Sequence, residues 1–517
     1  MRIALAQINT WVGDLAGNVE RCLAAIESAR NQKADLVILP EMAIPGYPPR
    51  DILFDASFTA AVAAATTDLA SMTADGPPVV VGTLWPADQT LHHHPGLYNA
   101  AVLLSGGEAQ LAAAKRLLPA YDVFHEPRWF LPGPPLPPVS IAGRRLGFLI
   151  CEDMWDEGYP VHPPADLLAA EAEMLICLSA SPYRRQILSE RLYHARRPGC
   201  PLVYANLCGA TDELIFDGRS FVLNEAGEVI AQLAGFEEEI QVVDLDGTET
   251  TERPQIDADL SEPPVEELYQ ALVLGVRDFA RKNQLDRAFL GLSGGIDSAL
   301  VAIIAAEALG PARVTAVAIP SRYTDPRSTA YAETLAANLG IGFDVVSLET
   351  MHSAVEATLG PLLDGGTTAE NVQARLRGMI LMSYVNRYGG LLLNTSNKTE
   401  LSLGYATLYG DMAGTLCPIA DVTKPQVIAL TQWLASTRRN LIPSFIIERP
   451  PSAELRPDQI DPFNYTEVSP ALENLVQANH SNPALRRSEY KRWQMGVILK
   501  VSDKAFGTGR LMPITRR

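Results

Sequence analysis

The octamer Gly291-Leu292-Ser293-Gly294-Gly295-Ile296-Asp297-Ser298 constrains the fold of this chain more than any other segment. An apolar run at 288–292 leads into it and an apolar helical pattern begins near Ile296, so the loop is expected between a strand and a helix. Its glycines let backbone N–H groups approach an anion closely, its two serines add donors, and the helix N-terminus adds partial positive charge. The octamer therefore reads as an anion cradle. No Gly-Lys-Ser/Thr ends it, which excludes the Walker loop. Asp297 adds a carboxylate, useful beside phosphate only with a metal. Gly-Leu-Ser-Gly-Gly also matches the G-x-S-x-G elbow of serine hydrolases, which need an acid and then a histidine downstream. Only His352 and His480 follow Ser293, and neither has flanks resembling a catalytic histidine.

Beyond the loop, apolar runs at 314–319, 343–348 and 391–395 alternate with helical patterns, one of them opened by Asp325 before Pro326. Such alternation predicts a doubly wound parallel-sheet α/β domain with ligands at the strands' carboxyl ends. Ahead of it, Pro254, Pro263 and Pro264 stand among acids and hydroxyls without an apolar period, which marks a linker at 247–265. The expected division is residues 1–246, the linker, and 266–517. Within 1–246, strand-like runs lie at 2–8, 35–39, 78–84, 97–104, 146–151, 174–178 and 202–207. A hairpin joins 220–223 to 229–233 through Asn224 and Gly227, and a strand follows at 239–245. Val19, Cys22, Leu23, Ile26 and Ala29 fall on one helical face. A mixed sheet packed with helices is expected.

At 517 residues and 47% apolar composition, two or three domains are expected. No run approaches the roughly 18–20 apolar residues of a membrane span, and the opening residues lack the charged start of a signal peptide, so a cytoplasmic protein is expected. The six cysteines contain no CxxC pair, and at most one is expected to carry chemistry. The formal charge of -18 argues against nucleic-acid binding. Only 486–517 is basic, with nine Lys or Arg against two acids; the run can meet an anionic substrate or be a solvated face, and charge alone favours the latter. His92, His93 and His94 are expected in a solvent-facing loop.

Three polar residues stand beside apolar runs where a site can open: Glu41 after 35–40, Lys115 before Arg-Leu-Leu-Pro119, and Cys151 after 146–150. A thiol needs a base to become a nucleophile, and a carboxylate serves. Glu41 can be that base, and the Lys115 ammonium can stabilise the oxyanion of a tetrahedral intermediate. Singly these signals are weak, since a lone cysteine after a strand is most often a small buried hydrophobe. Together, LPEMAIPGYPPRD, KRLLPAYDVFHEPRWFLPG, GFLICEDMW, LSASPY and DELIFDGRSF resemble the nitrilase-type glutaminase domain of NAD synthetases. The resemblance implies a four-layer αββα sandwich, with Glu41 as general base, Lys115 as oxyanion partner and Cys151 as nucleophile. It further implies a glutamine pocket shaped by Tyr47, Tyr121, Glu126 and Ser181, with Glu126 as auxiliary acid. The family's usual Lys or Arg for the glutamine carboxylate is replaced here by Ile187, which leaves Arg184 or Arg185 as the basic candidates.

In the second half, Thr395-Ser-Asn-Lys-Thr-Glu400 begins after a strand. Glu400 and Asp297 together can hold Mg2+, which takes one or two carboxylates plus phosphates and waters, and Lys424 can add a phosphate contact. Alone, each reads as a solvated helix end. The SGGxDS loop resembles that of the ATP pyrophosphatases. The stretches ALVLGVRDFARKN, IPSRYTD, TAENVQARLRG, TSNKTELSLGYATLYGDMAG, PPSAELRPDQ and EYKRWQ resemble the NAD synthetase domain in sequence and order. The likeness implies that Gly291, Leu292, Ser293, Gly294, Gly295, Ile296, Asp297, Ser298 and Thr395 bind ATP, and that Asn371, Glu400 and Lys491 contact deamido-NAD. The segment Ile460-Asp-Pro-Phe-Asn-Tyr465 is poorer in acids than the family's. The implied activity is glutamine hydrolysis coupled, through an enclosed ammonia path, to ATP-dependent amidation of deamido-NAD, releasing AMP and pyrophosphate, in a homo-oligomer. Alternatives are a different acceptor, an amidase whose carboxy-terminal half only senses ATP, and a non-catalytic scaffold.

Overall fold

The computed structural model describes residues 1–246, 265–363, 366–456, 459–478 and 483–509. The chain divides into two compact units, Met1–Thr211 with Ile215–Pro263, and Asp212–Leu214 with Pro264–Arg517. The expected linker lies outside the described residues except for Val265, which already opens the helix Val265–Lys282.

The first unit holds two six-stranded sheets. One runs in the order Glu239–Asp244, Arg2–Gln7, Leu36–Ile38, Val79–Leu91, His94–Ser105, Glu108–Ala114. The other runs Val229–Gln232, Phe221–Leu223, Leu202–Asn206, Met174–Ser179, Arg144–Ile150, Val139–Ile141. In each sheet three strands pair in parallel and antiparallel strands flank them. Side chains alternate across a strand. Ile3, Leu5, Leu36, Ile38 and Val80 therefore meet Phe148, Ile150, Ile176, Leu178 and Val203 in one apolar layer between the sheets. The opposite face of the second sheet, Leu149, Leu175, Cys177, Leu202 and Tyr204, packs on Leu167 of the helix Pro163–Ala169 and on Leu192 and Ala195 of Ile187–Arg196. Helices Leu15–Asn31 and Ala56–Met72 cover the first sheet. Burial of each such Leu or Ile contributes about 1.5–3 kcal/mol. The result is the expected αββα sandwich.

Some details differ from the sequence reading. The buried stripe of helix Leu15–Asn31 is Asn18, Cys22, Ala25, Ile26 and Ala29, while Val19 and Leu23 are only half-buried. Asn18 is drawn inward because its amide donates to the carbonyls of Trp11 and Ile44. The strand Glu108–Ala114 has no sequence signal, being rich in alanine, and is held by its pairing with His94–Ser105. His92 and His93 form the exposed tip of the hairpin joining Val79–Leu91 to His94–Ser105.

The second unit carries an all-parallel sheet ordered Gly342–Val345, Val314–Ala318, Ala288–Gly291, Leu391–Leu392. Phe289 points to Tyr384 and Tyr388 of the helix Thr367–Tyr388 on one face. Helices Val265–Lys282, Ile296–Leu309 and Lys424–Thr437 pack together on the other, which gives the doubly wound arrangement. Asp325 caps the helix Pro326–Leu339 as its sequence predicts, accepting the N–H of Arg327. The last strand stops at Leu392, sooner than expected, and the chain continues through a bridge from Leu393 to Leu416. Among the described residues no helix is long and apolar enough to cross a membrane.

Candidate active sites

In the first unit Glu41, Lys115 and Cys151 converge from three strand ends. Lys115 follows Glu108–Ala114 directly, and its backbone is pinned by bonds to Asn99 and Gly133, both 2.8 Å. Its ammonium donates to Glu41 Oε1 at 2.9 Å and to Glu126 Oε1 at 2.8 Å. Glu41 is fully buried and accepts two further bonds, from Asn99 Nδ2 at 2.6 Å and from the Ala180 N–H at 2.7 Å. Burial opposes the charge on Lys115, but Glu126 and Glu41 outweigh it and hold its pKa well above the ordinary lysine value. Burial pushes the Glu126 carboxyl up to about 7 against the pull of Lys115. Glu126 Oε1 also accepts the Tyr47 hydroxyl at 3.0 Å, while its Oε2 is buried without a hydrogen-bond partner in the structure.

Cys151 is buried at the start of the turn Cys151–Met154 with φ of 44°. That left-handed conformation is strained for a residue with a Cβ, as is common where a nucleophile is turned toward its target. Burial raises its thiol pKa well above normal; Glu41 adds to the rise and Lys115 opposes it. Cys151 therefore rests as a thiol that would need a base to react, with both Glu41 and Lys115 in electrostatic reach.

Of the expected pocket residues, Tyr121 donates to Glu152 at 2.9 Å and Ser181 takes Arg191 Nε on its hydroxyl at 3.2 Å. Ile187 is buried at the first position of its helix, so no cation sits there. Arg184 is committed to Glu190, whereas Arg185 is half-buried and makes no ion pair among the described residues. Sequence reasoning missed Asn99, Glu152, Tyr159 and Arg191. Glu152, next to Cys151, accepts the Tyr159 hydroxyl at 2.8 Å as well as that of Tyr121. Arg191 is fully buried, binds Asp217 through both carboxylate oxygens at 2.9 and 3.0 Å, and donates to the Ser181 carbonyl at 2.8 Å. A fork of this kind fixes the Ser181 segment. The local signal for Glu152 was its place beside Cys151; the other three had none.

In the second unit the glycine loop opens into a cavity of about 300 Å3, lined among others by Ser293, Asp297, Arg377, Thr395, Glu400 and Lys424. Gly295 is the N-cap of the helix Ile296–Leu309 and supplies no side-chain cap, its own N–H donates to the Ser293 hydroxyl at 3.3 Å, and Ile296, Asp297 and Ser298 of the first turn line the cavity. Gly294 lies against the Ser328 carbonyl and not on the cavity wall. Asp297 accepts Lys424 on one oxygen and Asn397 Nδ2 at 2.9 Å on the other. Glu400 accepts Lys424 at 3.3 Å, and its N–H donates to Asn397 Oδ1 at 3.0 Å. Burial, then the charge of Asp297, pushes the Glu400 carboxyl up to about 8. Two facing carboxylates thus share a single ammonium. Among the described residues no group of three or more His, Cys, Asp or Glu is placed to enclose a metal. A carboxylate pair beside a phosphate cradle is the donor set that suits Mg2+.

Asn371 and Lys491 are not on the cavity wall. Lys491 donates to the carbonyls of Gly404 and Ala406 at 2.8 and 2.6 Å, and Asn371 accepts the Thr407 hydroxyl at 2.7 Å. Both brace the segment 404–411, from which Tyr405, Gly410 and Asp411 line the cavity. Asn397 and Arg377 are additions the sequence reading did not make; burial lowers the pKa of the Arg377 guanidinium.

Residues 2–255 match the carbon-nitrogen hydrolase family and residues 268–505 the NAD synthase family. The glutamine-dependent NAD(+) synthetase of Rhodobacter capsulatus is 40% identical, with 100% of this chain and 98% of the relative covered. That of Synechocystis sp. is 38% identical, covering 99% and 98%. Among solved structures, the glutamine-dependent NAD+ synthetase from Acinetobacter baumannii in complex with ADP superposes with a TM-score of 0.78 at 30% identity, covering 99% of this chain and 98% of that one.

Proposed function

The chain belongs to the glutamine-dependent NAD(+) synthetases, and on that premise we propose that residues 1–246 hydrolyse glutamine while residues 266–517 carry the ligation. The enzyme is a glutamine-hydrolysing ligase: it takes ammonia from glutamine and uses ATP to amidate deamido-NAD to NAD. The observation that carries the division of labour is the separation of two chemistries. A buried Glu41–Lys115–Cys151 cluster sits in one unit and an anion loop with Asp297, Glu400 and Lys424 in the other.

In the first site the Cys151 sulfur attacks the amide carbon of glutamine and Glu41 takes the thiol proton. Lys115, held by two carboxylates, donates to the oxyanion. Glu41 returns the proton to the departing nitrogen, which leaves as ammonia, and a thioester remains. Glu41 then deprotonates water, which attacks the thioester; glutamate leaves and the thiol recovers its proton. Glu126, itself fixed by the Tyr47 hydroxyl, holds Lys115. Glu152, fixed by Tyr121 and Tyr159, offers a carboxylate for the α-ammonium of glutamine, and Arg185 near Ser181 a cation for its α-carboxylate in place of Ile187.

In the second site the nicotinate carboxylate of deamido-NAD attacks the α-phosphorus of ATP and pyrophosphate leaves. Ammonia then attacks the acyl carbon, and AMP leaves with one proton. The N–H groups of the loop Gly291 to Ser298, with Thr395 and Lys424, hold ATP phosphates. Asp297 and Glu400 would hold Mg2+, which supplies charge neutralisation to the leaving pyrophosphate. Glu400 contacts deamido-NAD, while Asn371 and Lys491 position the segment 404–411, from which Tyr405, Gly410 and Asp411 line the same cavity. By the same family resemblance the enzyme is a cytoplasmic homo-oligomer, in keeping with six free cysteines.

The test is NAD formation from deamido-NAD, ATP and Mg2+ with glutamine in one assay and an ammonium salt in another. Cys151→Ala is expected to abolish glutamine-dependent synthesis and to leave ammonium-dependent synthesis, with AMP released, unchanged. Loss of both would remove Cys151 from the nucleophile's role.

A further inference from the structure

The mechanism leaves one buried acid beside the nucleophile without a task. Asp153 is 2% exposed, two residues after Cys151. Its Oδ1 accepts the N–H groups of Arg116 and Leu117, each at 2.9 Å, and its Oδ2 accepts the N–H of Ile150 at 3.1 Å. Arg116 and Leu117 are the two residues after Lys115, and Ile150 is the residue before Cys151. One carboxylate therefore ties the segment presenting the oxyanion partner to the segment presenting the nucleophile.

Lys115 and Cys151 end the strands Glu108–Ala114 and Arg144–Ile150, which belong to different sheets. No ladder hydrogen bond spaces them. The apolar attraction between the sheets is non-directional, whereas three hydrogen bonds to one carboxylate fix the direction and reach of the two segments. The bond to Ile150 also closes the turn that holds Cys151 at its φ of 44°. Burial pushes the Asp153 acid up to about 6, with the three amides and Lys115 drawing it down, so it is ionised in a mildly alkaline assay. We propose that Asp153 is a positioning residue for glutamine hydrolysis, setting the reach between Lys115 and Cys151 without touching substrate. This rests on the roles given above to those two residues.

Asp153→Asn keeps the shape but turns an NH2 group toward backbone N–H donors. Displacements of about 1 Å at a reacting centre cost on the order of 100-fold. The expected result is a glutamine-dependent kcat lowered roughly 10- to 100-fold, with KM for glutamine nearly unchanged, ammonium-dependent synthesis intact, and slower alkylation of Cys151 by iodoacetamide. An unchanged kcat, a rise in KM alone, or equal loss of both nitrogen sources would overturn it, the last by assigning Asp153 to folding. Asp153→Ala, which orphans all three N–H groups, should be more severe in the same sense, and if it is insoluble the Asn variant decides. Cys151→Ala run alongside separates the two levels. Should it retain glutamine use, the assignment of the nucleophile fails; should it lose glutamine use while Asp153→Asn is fully active, only the positioning role fails.

Discussion

In the proposed mechanism Glu400 couples metal, proton and substrate. It faces Asp297, Asp461, Lys424 and Asn397, and burial ahead of the Asp297 charge raises its pKa to about 8. A carboxyl whose folded pKa is raised stabilises the fold through its protonated form. That contribution is complete below the ordinary carboxyl range and is lost as pH rises through about 8. A divalent cation binds the ionised form and must displace the proton at lower pH. Thermal stabilisation by MgCl2 with a non-hydrolysable ATP analogue is therefore expected to grow from about pH 6.5 to about pH 8.5, and Glu400→Gln to abolish that growth. Equal stabilisation at both pH values, or growth that survives in the variant, would dismiss Glu400 as a metal ligand. At this scale the sequence exposed the actors but not their partners. Glu41, Lys115 and Cys151 carry family-like flanks, whereas nothing local to Arg191 or Asn397 announces Asp217 or Asp297.

The strand, loop and helix from Ala288 to Leu309 act as one element. Gly294 adopts φ of 78°, and a Cβ there would lie 2.4 Å from the Ser328 carbonyl oxygen, so neither the conformation nor the space admits a side chain. Gly294→Ala is expected to push the loop from its seat and raise KM for ATP roughly 10- to 100-fold, the equivalent of about 1–3 kcal/mol of overpacking. Glutamate release without deamido-NAD should be unaffected. Steady-state kinetics with both nitrogen sources checks this; normal ATP dependence would show that the loop tolerates the methyl group. Elements of this kind were legible because glycine spacing and helix caps act within a few residues. The strand Glu108–Ala114 was not, since its alanines prefer helix and only the neighbouring strand decides otherwise.

For the whole molecule, the question is the fate of ammonia. In neutral solution it is mostly ammonium, which has no lone pair for attack on an acyl adenylate, so ammonia released to solvent would be largely wasted. NAD made from amide-15N glutamine is expected to keep its label in the presence of excess unlabelled ammonium, as read by mass spectrometry. Dilution of the label toward the bulk ratio would refute an enclosed path. The same assay run with Cys151→Ala should give wholly unlabelled NAD.

What the sequence determined by itself were the features encoded over short distances. These are the alternation that made two α/β architectures, the glycine loop with Asp297, the Asp325 cap, and the placement of Glu41, Lys115 and Cys151 near strand ends. Each depends on backbone preferences or side-chain periodicity that neighbouring residues settle among themselves. What the tertiary structure decided were the pairings across long separations: Tyr47 with Glu126, Asp153 with the amides after Lys115, Arg191 with Asp217, Asn397 with Asp297. A peptide segment specifies its own dihedral angles, but which distant donor meets a buried carboxylate depends on how sheets and helices stack. Only the folded chain excludes water from that carboxylate and so compels it to find a partner.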